Sequence, residues 1–351
     1  MNAQQAVKSS PELFLHAATA SVAYAAMEHL MDTTGRTGEV VRGRYEGSEG
    51  ARPWRLFVPS KRSTTPANAS ATPSMLLVVL HGCTQNADDI AAGTRMDAVA
   101  EEQGFYVLYP EQLSTANARG CWNWFDAAHQ ARGHGEPAII ASMIAELLQR
   151  PELAKAVDHA QIHLVGISAG AAMANLIAAA YPEQFASLTS ASGISWRAAT
   201  DVARALTVMQ KGSGDGLQSA EAIVQSMGAQ ARALPTLVIH GGRDAVVNPR
   251  NGDETAQQWV GVHDLMRARR NVAALVADAA PRTRIDNSYT VNERDWRDER
   301  GAAQVSLVRI DELGHAWSGG SSTGTFTDAK GPDVTRLIAA FCASHPMRAA
   351  R

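Results

Sequence analysis

The sequence predicts an α/β protein with a mainly parallel sheet and helices on both faces. Three observations carry this. Apolar strand-like runs alternate with stretches of helical periodicity over most of the 351 residues, as in a chain of βαβ units. Met75-Leu76-Leu77-Val78-Val79-Leu80 is apolar without a break, which suits a strand covered on both faces. The run Ile162-His163-Leu164-Val165 leads through Gly166-Ile167-Ser168-Ala169-Gly170 into an Ala-rich helical pattern, giving strand, sharp turn and helix in succession.

Taken in order, residues 10–31 read as one helix, and Gly35 to Gly50 as turns with an early edge strand. Trp54 to Pro59 is a strand ended by proline. Ser60 to Ser74 is rich in Ser, Thr, Pro and Ala and reads as a long surface loop, because strands flank it on both sides. After the run at 75–80, residues 86–103 have helical spacing and Phe105 to Pro110 is a strand. Glu111 to Glu136 is irregular, with Trp, Gly and His, the kind of stretch in which loop-borne function lies. Pro137 to Gln149 is a helix, and Phe185 to Ser190 a strand. Residues 195–233 contain helical pieces and no strand, a lid-like insertion. Leu234 to His240 is a strand, Asp253 to Asn271 a helix, and Val276 to Arg297 a hairpin excursion. Gln304 to Ile310 is the last strand and Asp333 to Ser344 the closing helix. The organisation expected is an N-terminal helical extension over 1–50 and a catalytic domain over 51–346.

Composition narrows the class. With 45% apolar and 19% charged residues the chain can bury a substantial core. A net charge of −3 and the lack of a dense basic block point away from nucleic acid and anionic membranes, and no stretch reaches the length of a membrane span. The three cysteines, Cys83, Cys121 and Cys342, form no C-x-x-C pair, so a cysteine zinc cluster is not expected. His129 and His134 read as surface loop residues rather than metal ligands. Ala23-Tyr24-Ala25 has the form of a signal-peptidase site, but Glu12 and His16 interrupt the apolar segment and Lys8 is a thin basic start. A surface helix is the preferred reading.

The turn at Ser168 is a nucleophile elbow, G-x-S-x-G between strand and helix. Its glycines are there because neighbouring chain passes too close for side chains. A serine hydroxyl is a weak nucleophile at neutral pH and needs a base, and the base needs an orienting acid. In the α/β-hydrolase fold both follow the serine in the chain, on loops after strands. Asp244 lies four residues beyond the strand ending at His240, and His315 lies on a glycine-flanked loop beyond the strand ending at Ile310. Asp253, the rival acid, falls where a helix should begin, and His345 comes after the last helix. The oxyanion hole needs two N–H donors. One is Ala169, the residue after the nucleophile. The other belongs to His81-Gly82-Cys83-Thr84-Gln85, and on the residues alone it stays open between Gly82, Cys83 and Thr84.

Together, His81-Gly82-Cys83-Thr84-Gln85, Cys121-Trp122-Asn123-Trp124-Phe125, the Gly166–Gly170 turn, Gly242-Arg243-Asp244 and Gly314-His315-Ala316-Trp317-Ser318-Gly319-Gly320 resemble the polyhydroxybutyrate depolymerase family of esterases, which is related to feruloyl and acetylxylan esterases. The resemblance spans about residues 52–345. It implies a serine esterase that needs no metal or cofactor, with Ser168, Asp244 and His315 as its triad and Cys83 N–H as the second oxyanion donor. It also implies a Cys83–Cys121 disulfide, and Trp122, Trp124 and Trp317 flanking the substrate. Cys342 remains a core residue. The expected reaction is hydrolysis of short-chain esters or 3-hydroxybutyrate oligomers through an acyl-enzyme. The alternatives are a feruloyl or acetylxylan type of carbohydrate esterase and a non-catalytic binding protein on the same fold. With the last core helix so close to residue 351, no polymer-adsorbing domain is expected, and soluble oligomers or small esters are the expected substrates. The disulfide and the resemblance point to export, and the poor leader to the cytoplasm.

Overall fold

The computed structural model describes residues 27–28, 38–60 and 73–347. Most of the helix expected over 10–31 and most of the loop expected over 60–74 lie outside these. Fourteen strands are described: β1 Met27–Glu28, β2 Glu39–Gly47, β3 Gly50–Val58, β4 Ser74–Leu80, β5 Tyr106–Pro110, β6 Val157–Ile167, β7 Ser187–Ala191, β8 Thr236–Gly241, β9 Val276–Ala277, β10 Arg282–Asp286, β11 Tyr289–Arg297, β12 Ala303–Ile310, β13 Trp317–Ser318 and β14 Thr327–Asp328. The described α-helices are α1 Ala87–Thr94, α2 Met96–Gln103, α3 Gly135–Leu147, α4 Pro151–Ala154, α5 Ala169–Ala180, α6 Val202–Lys211, α7 Ala220–Met227, α8 Arg250–Ala268 and α9 Val334–Ser344.

The main sheet runs β1-β2-β3-β5-β4-β6-β7-β8-β12-β11-β10. From β5 to β12 every neighbouring pair is parallel, and both flanks continue antiparallel. The sheet takes in Glu39–Gly47 and Met27–Glu28, upstream of the boundary expected at residue 51. The alternation of side chains along a strand sorts β4 between two cores. Leu76, Val78 and Leu80 pack with residues of α3, α5, α7 and α8, whereas Met75, Leu77 and Val79 pack with residues of α1, α2 and α9. Helices therefore cover both faces, and an unbroken apolar run is what such a strand requires.

Two departures from the expected elements have local causes. The single helix expected over 86–103 is two, broken at Arg95, which sits at φ 57°. There the Thr94 carbonyl accepts the Thr335 hydroxyl at 2.6 Å, and the Thr94 hydroxyl turns back to the Ile90 carbonyl at 2.7 Å, so the ladder is interrupted. The excursion over 276–297 extends the sheet itself. Asn287 and Ser288 both have positive φ, 48° and 69°, the geometry of a two-residue hairpin turn whose twist matches its strands. The segment 195–233 is helical and is tied to α8. The Glu254 carboxylate accepts the N–H groups of Ser213 at 2.6 Å and Gly214 at 3.0 Å, and Gln258 Oε1 accepts that of Trp196 at 2.9 Å. Among the described residues no helix is long and apolar enough to cross a membrane.

Candidate active site

Ser168 stands between the last residue of β6 and the first of α5, at φ 56° and ψ −122°. That conformation is strained for a residue with a Cβ. Its surroundings hold it there. Ser168 N–H donates to the Ala191 carbonyl at the end of β7 at 2.9 Å, and its own carbonyl accepts from Ala172 N–H at 3.0 Å. A Cβ on Gly166 would overlap the backbone of Gly170 and Ala171, and one on Gly170 would overlap the carbonyls of Leu80 and His81. The α5 helix, buried along its whole length, thus enters the sheet at close range. Its positive N-terminus points to the serine.

The loops after β8 and β12 are stitched together. Gly242 N–H donates to the Ile310 carbonyl at 2.8 Å and Arg243 N–H to the Leu313 carbonyl at 2.9 Å. This joins Asp244 and His315, which are 71 residues apart in sequence. His315 Nδ1 lies 2.7 Å from Asp244 Oδ2, and His315 Nε2 lies 3.0 Å from Ser168 Oγ. A carboxylate only accepts, so Nδ1 carries the proton and Nε2 is free to accept the serine hydroxyl. Asp244 is buried. Burial by itself pushes its carboxyl up, but hydrogen bonds from His240 and His315, the charge of His315 and the Val247 N–H outweigh that and hold it well below the usual carboxylate range. Its other oxygen, Oδ1, accepts the N–H groups of Val246 at 2.9 Å and Val247 at 2.8 Å. Asp253 lies instead in the first turn of α8 and pairs with Arg309 at 2.5 Å.

The role of the strand residue His240 is not legible in the sequence. It is fully buried, with Nε2 2.9 Å from the Val247 carbonyl and 3.4 Å from Asp244 Oδ2. Nδ1 has no hydrogen-bond partner among the described residues, so the proton sits on Nε2. His240 therefore clamps the loop that carries the acid.

After β4, the three candidate oxyanion amides part company. Gly82 N–H donates to Gln85 Oε1 at 2.9 Å, and Thr84 N–H to the Arg119 carbonyl at 2.7 Å. The N–H groups of Cys83 and Ala169 take no such partner among the described residues. This loop abuts the serine: a Cβ on Gly82 would lie 3.5 Å from Ser168 Cβ. His81 fixes the loop from below. Its Nδ1 donates to the Gly82 carbonyl at 2.8 Å, and its Nε2 accepts Gln112 N–H at 3.0 Å. Burial lowers the His81 imidazole to about 4, so it stays neutral at physiological pH.

Cys83 is disulfide-bonded to Cys121, which ties this loop to residues 111–136. That stretch is organised by Glu136, a second residue whose role only the fold reveals. The fully buried Glu136 carboxylate accepts from Gln112 Nε2 at 2.5 Å, Asn123 N–H at 2.7 Å, Asn123 Nδ2 at 2.8 Å and Arg52 at 3.2 Å. His129, half-buried in the same stretch, accepts Glu136 N–H on Nδ1 at 3.0 Å, while His134 is exposed. Cys342 is buried on α9, and burial pushes its thiol up to about 12.

The expected tryptophan walls need correction. Trp122, Trp124 and Trp317 are all buried, at 0%, 5% and 2% exposure. Trp122 donates its indole N–H to the His81 carbonyl at 3.1 Å and Trp317 donates to the Thr335 hydroxyl at 2.8 Å. These rings back the loops that shape the site and present little surface to a ligand. The resemblance implies a binding wall, but the indole N–H groups of Trp122 and Trp317 find their partners inside the fold. The aromatic ring that does stand open beside His315 is Phe326, 45% exposed.

The chain is similar to several known proteins. The chain is 34% identical over 259 residues to poly(3-hydroxyalkanoate) depolymerase C of Paucimonas lemoignei, an alignment covering 72% of this chain and 56% of that protein. It is 29% identical over 231 residues to feruloyl esterase B of Neurospora crassa, covering 64% of this chain and 74% of that one. The chain thus spans little more than half the length of the depolymerase. Among solved structures, the acetyl xylan esterase from Aspergillus awamori superposes with a TM-score of 0.56 at 23% identity, covering 75% of this chain and 89% of that one. The S-formylglutathione hydrolase of Staphylococcus aureus superposes at 0.51 with 13% identity, covering 86% and 98%. These likenesses establish the α/β-hydrolase fold. The family described as Esterase PHB depolymerase matches residues 62–279, a span that contains both disulfide cysteines, Ser168 and Asp244, and the chain belongs to that family.

Proposed function

We propose that this protein is a serine esterase with Ser168 as nucleophile, His315 as base and Asp244 as the orienting acid. The observation that carries the reading is the unbroken line of bonds from Asp244 through His315 to Ser168, beside two N–H groups that have no partner among the described residues. Ser168 Oγ attacks the ester carbonyl as its proton passes to His315 Nε2. The carbonyl oxygen becomes an oxyanion held by the N–H groups of Cys83 and Ala169. The ester C–O bond then breaks, and the leaving oxygen takes the proton from Nε2. Water repeats the sequence on the acyl-enzyme and releases the acid. Removing one oxyanion donor typically costs about 10²–10³ in rate, so the position of Cys83 weighs as much as that of a side chain.

The substrates proposed are short-chain esters and 3-hydroxybutyrate oligomers. The depolymerase among the relatives supports this, while the feruloyl and acetylxylan esterases keep a carbohydrate-ester reading as the second choice. A pure binding protein has no need for the three side chains in bonded order. The test is turnover of p-nitrophenyl butyrate, hydroxybutyrate trimer, methyl ferulate and acetylated xylan by wild type and Ser168→Ala. Wild type is expected to favour the first two, and Ser168→Ala to lose at least about 10⁴ in kcat. Equal rates in the two proteins would remove Ser168 from the mechanism.

A further inference from the structure

Phe326 breaks two local rules at once. Its large apolar ring is 45% exposed, and its backbone sits at φ 51°, in the left-handed region that bulky residues rarely enter. Contacts on both sides fix this arrangement. Thr325 donates its N–H to Asp89 Oδ1 at 3.0 Å and its hydroxyl to Asp89 Oδ2 at 2.5 Å. Gln85 Nε2 donates to the Thr325 carbonyl at 3.1 Å, and Trp317 N–H donates to the Phe326 carbonyl at 2.7 Å. On the far side, Thr327 pairs with Trp317 in the β13–β14 ladder. The same Gln85 accepts Gly82 N–H, so one side chain joins the Phe326 loop to the loop of Cys83. The ring stands edge-on to His315, with centroids 6.2 Å apart and planes at 77°. Strained backbone over-determined by its neighbours and set beside reactive groups is characteristic of ligand clamps.

We infer that Phe326 is a specificity-determining residue, the apolar wall for the alcohol half of the ester; this rests on the esterase reading above. The side follows from the chemistry. The oxyanion faces the amides of Cys83 and Ala169, and the acyl carbon is bonded to Ser168. When the C–O bond breaks with its electron pair on the leaving oxygen, that oxygen must lie within hydrogen-bond reach of His315 Nε2 to take the proton. Whatever group it carries lies beside the imidazole, where the Phe326 ring stands. The buried Trp122 and Trp317 cannot offer such a surface. The substrate class is therefore esters of aryl or branched apolar alcohols, preferred over esters of small ones.

The experiment compares wild type, Phe326→Ala and Phe326→Leu on benzyl butyrate, ethyl butyrate and ethyl octanoate. The first pair differs only in the alcohol and the second only in the acyl chain. In Phe326→Ala the benzyl-to-ethyl ratio of kcat/KM is expected to fall about tenfold, while the octanoate-to-butyrate ratio holds. Phe326→Leu should restore part of the benzyl preference. Equal losses on benzyl and ethyl butyrate would overturn the assignment and make the ring a cover for His315. A shift in the acyl ratio alone would overturn it too and move the wall to the other half of the ester. Wild type inert on all three esters would instead refute the esterase reading itself, an outcome distinct from either of these.

Discussion

Asp244 shows how one side chain can be held in a single role. Its two oxygens are divided: Oδ1 takes two backbone N–H groups of its own loop, and Oδ2 faces His315, with His240 behind it. Its carboxyl is held below the ordinary range. The stability it contributes is therefore fully present above about pH 4, where a free aspartate is ionised, and is lost as pH falls through its lower folded value. In Asp244→Asn the amide can keep Oδ1 for Val246 and Val247, but its Nδ2–H₂ would face His315 Nδ1. The imidazole would then carry its proton on Nε2 and could no longer accept from Ser168. Asp244→Asn is expected to lose about 10⁴ in kcat and keep its fold, as read by ester kinetics beside a thermal melt. A loss under tenfold would mean that Asp244 does not set the tautomer. Ser168 was legible because its constraint is local: two glycines, a strand and a helix are all within a few residues. Asp244 and His315 were legible from their order and from the strands before them. His240, Glu136 and Phe326 were not. A histidine ending an apolar run, a glutamate at a helix start and a phenylalanine among Gly, Ser and Thr have ordinary surroundings in sequence, and only tertiary neighbours give them a role.

Among the elements, the parallel strands were the easiest to foresee. β4 must satisfy two cores, so every one of its positions from Met75 to Leu80 is apolar and buried. Helix ends were harder, since the break at Arg95 depends on Thr335 from the other end of the chain. The two-residue strands β13 and β14 carry too little pattern to be seen, yet they position Phe326. The elbow makes a sharper demand. α5 approaches β4 so closely that only glycine fits at 170. Gly170→Ala is expected to destabilise the protein by about 1–3 kcal/mol and to cut activity by displacing α5 from the loop after β4. Urea unfolding and kcat on p-nitrophenyl butyrate check both. An unchanged midpoint with full activity would show that the helix has room to spare.

At the scale of the whole molecule, the sheet collects functional groups from distant parts of the chain at the ends of neighbouring parallel strands. β4, β6, β8 and β12 deliver Cys83, Ser168, Asp244 and His315 from the loops that follow them, which is where ligands meet open α/β sheets. Two ties link the loop after β4 to its neighbours: the disulfide from Cys83 to Cys121, and Gln85, which joins Gly82 to Thr325. The helical segment 195–233 is bound to α8 through Glu254 and Gln258 and belongs to the body of the fold. Such an assembly activates one serine and no other. The most direct test is the mass of tryptic peptides after brief exposure to diethyl p-nitrophenyl phosphate, which phosphorylates activated serines irrespective of the preferred ester. One diethylphosphoryl group is expected on the peptide that contains Ser168, with no labelling of that peptide in Ser168→Ala. A label on another residue, or an unlabelled wild type, would contradict it.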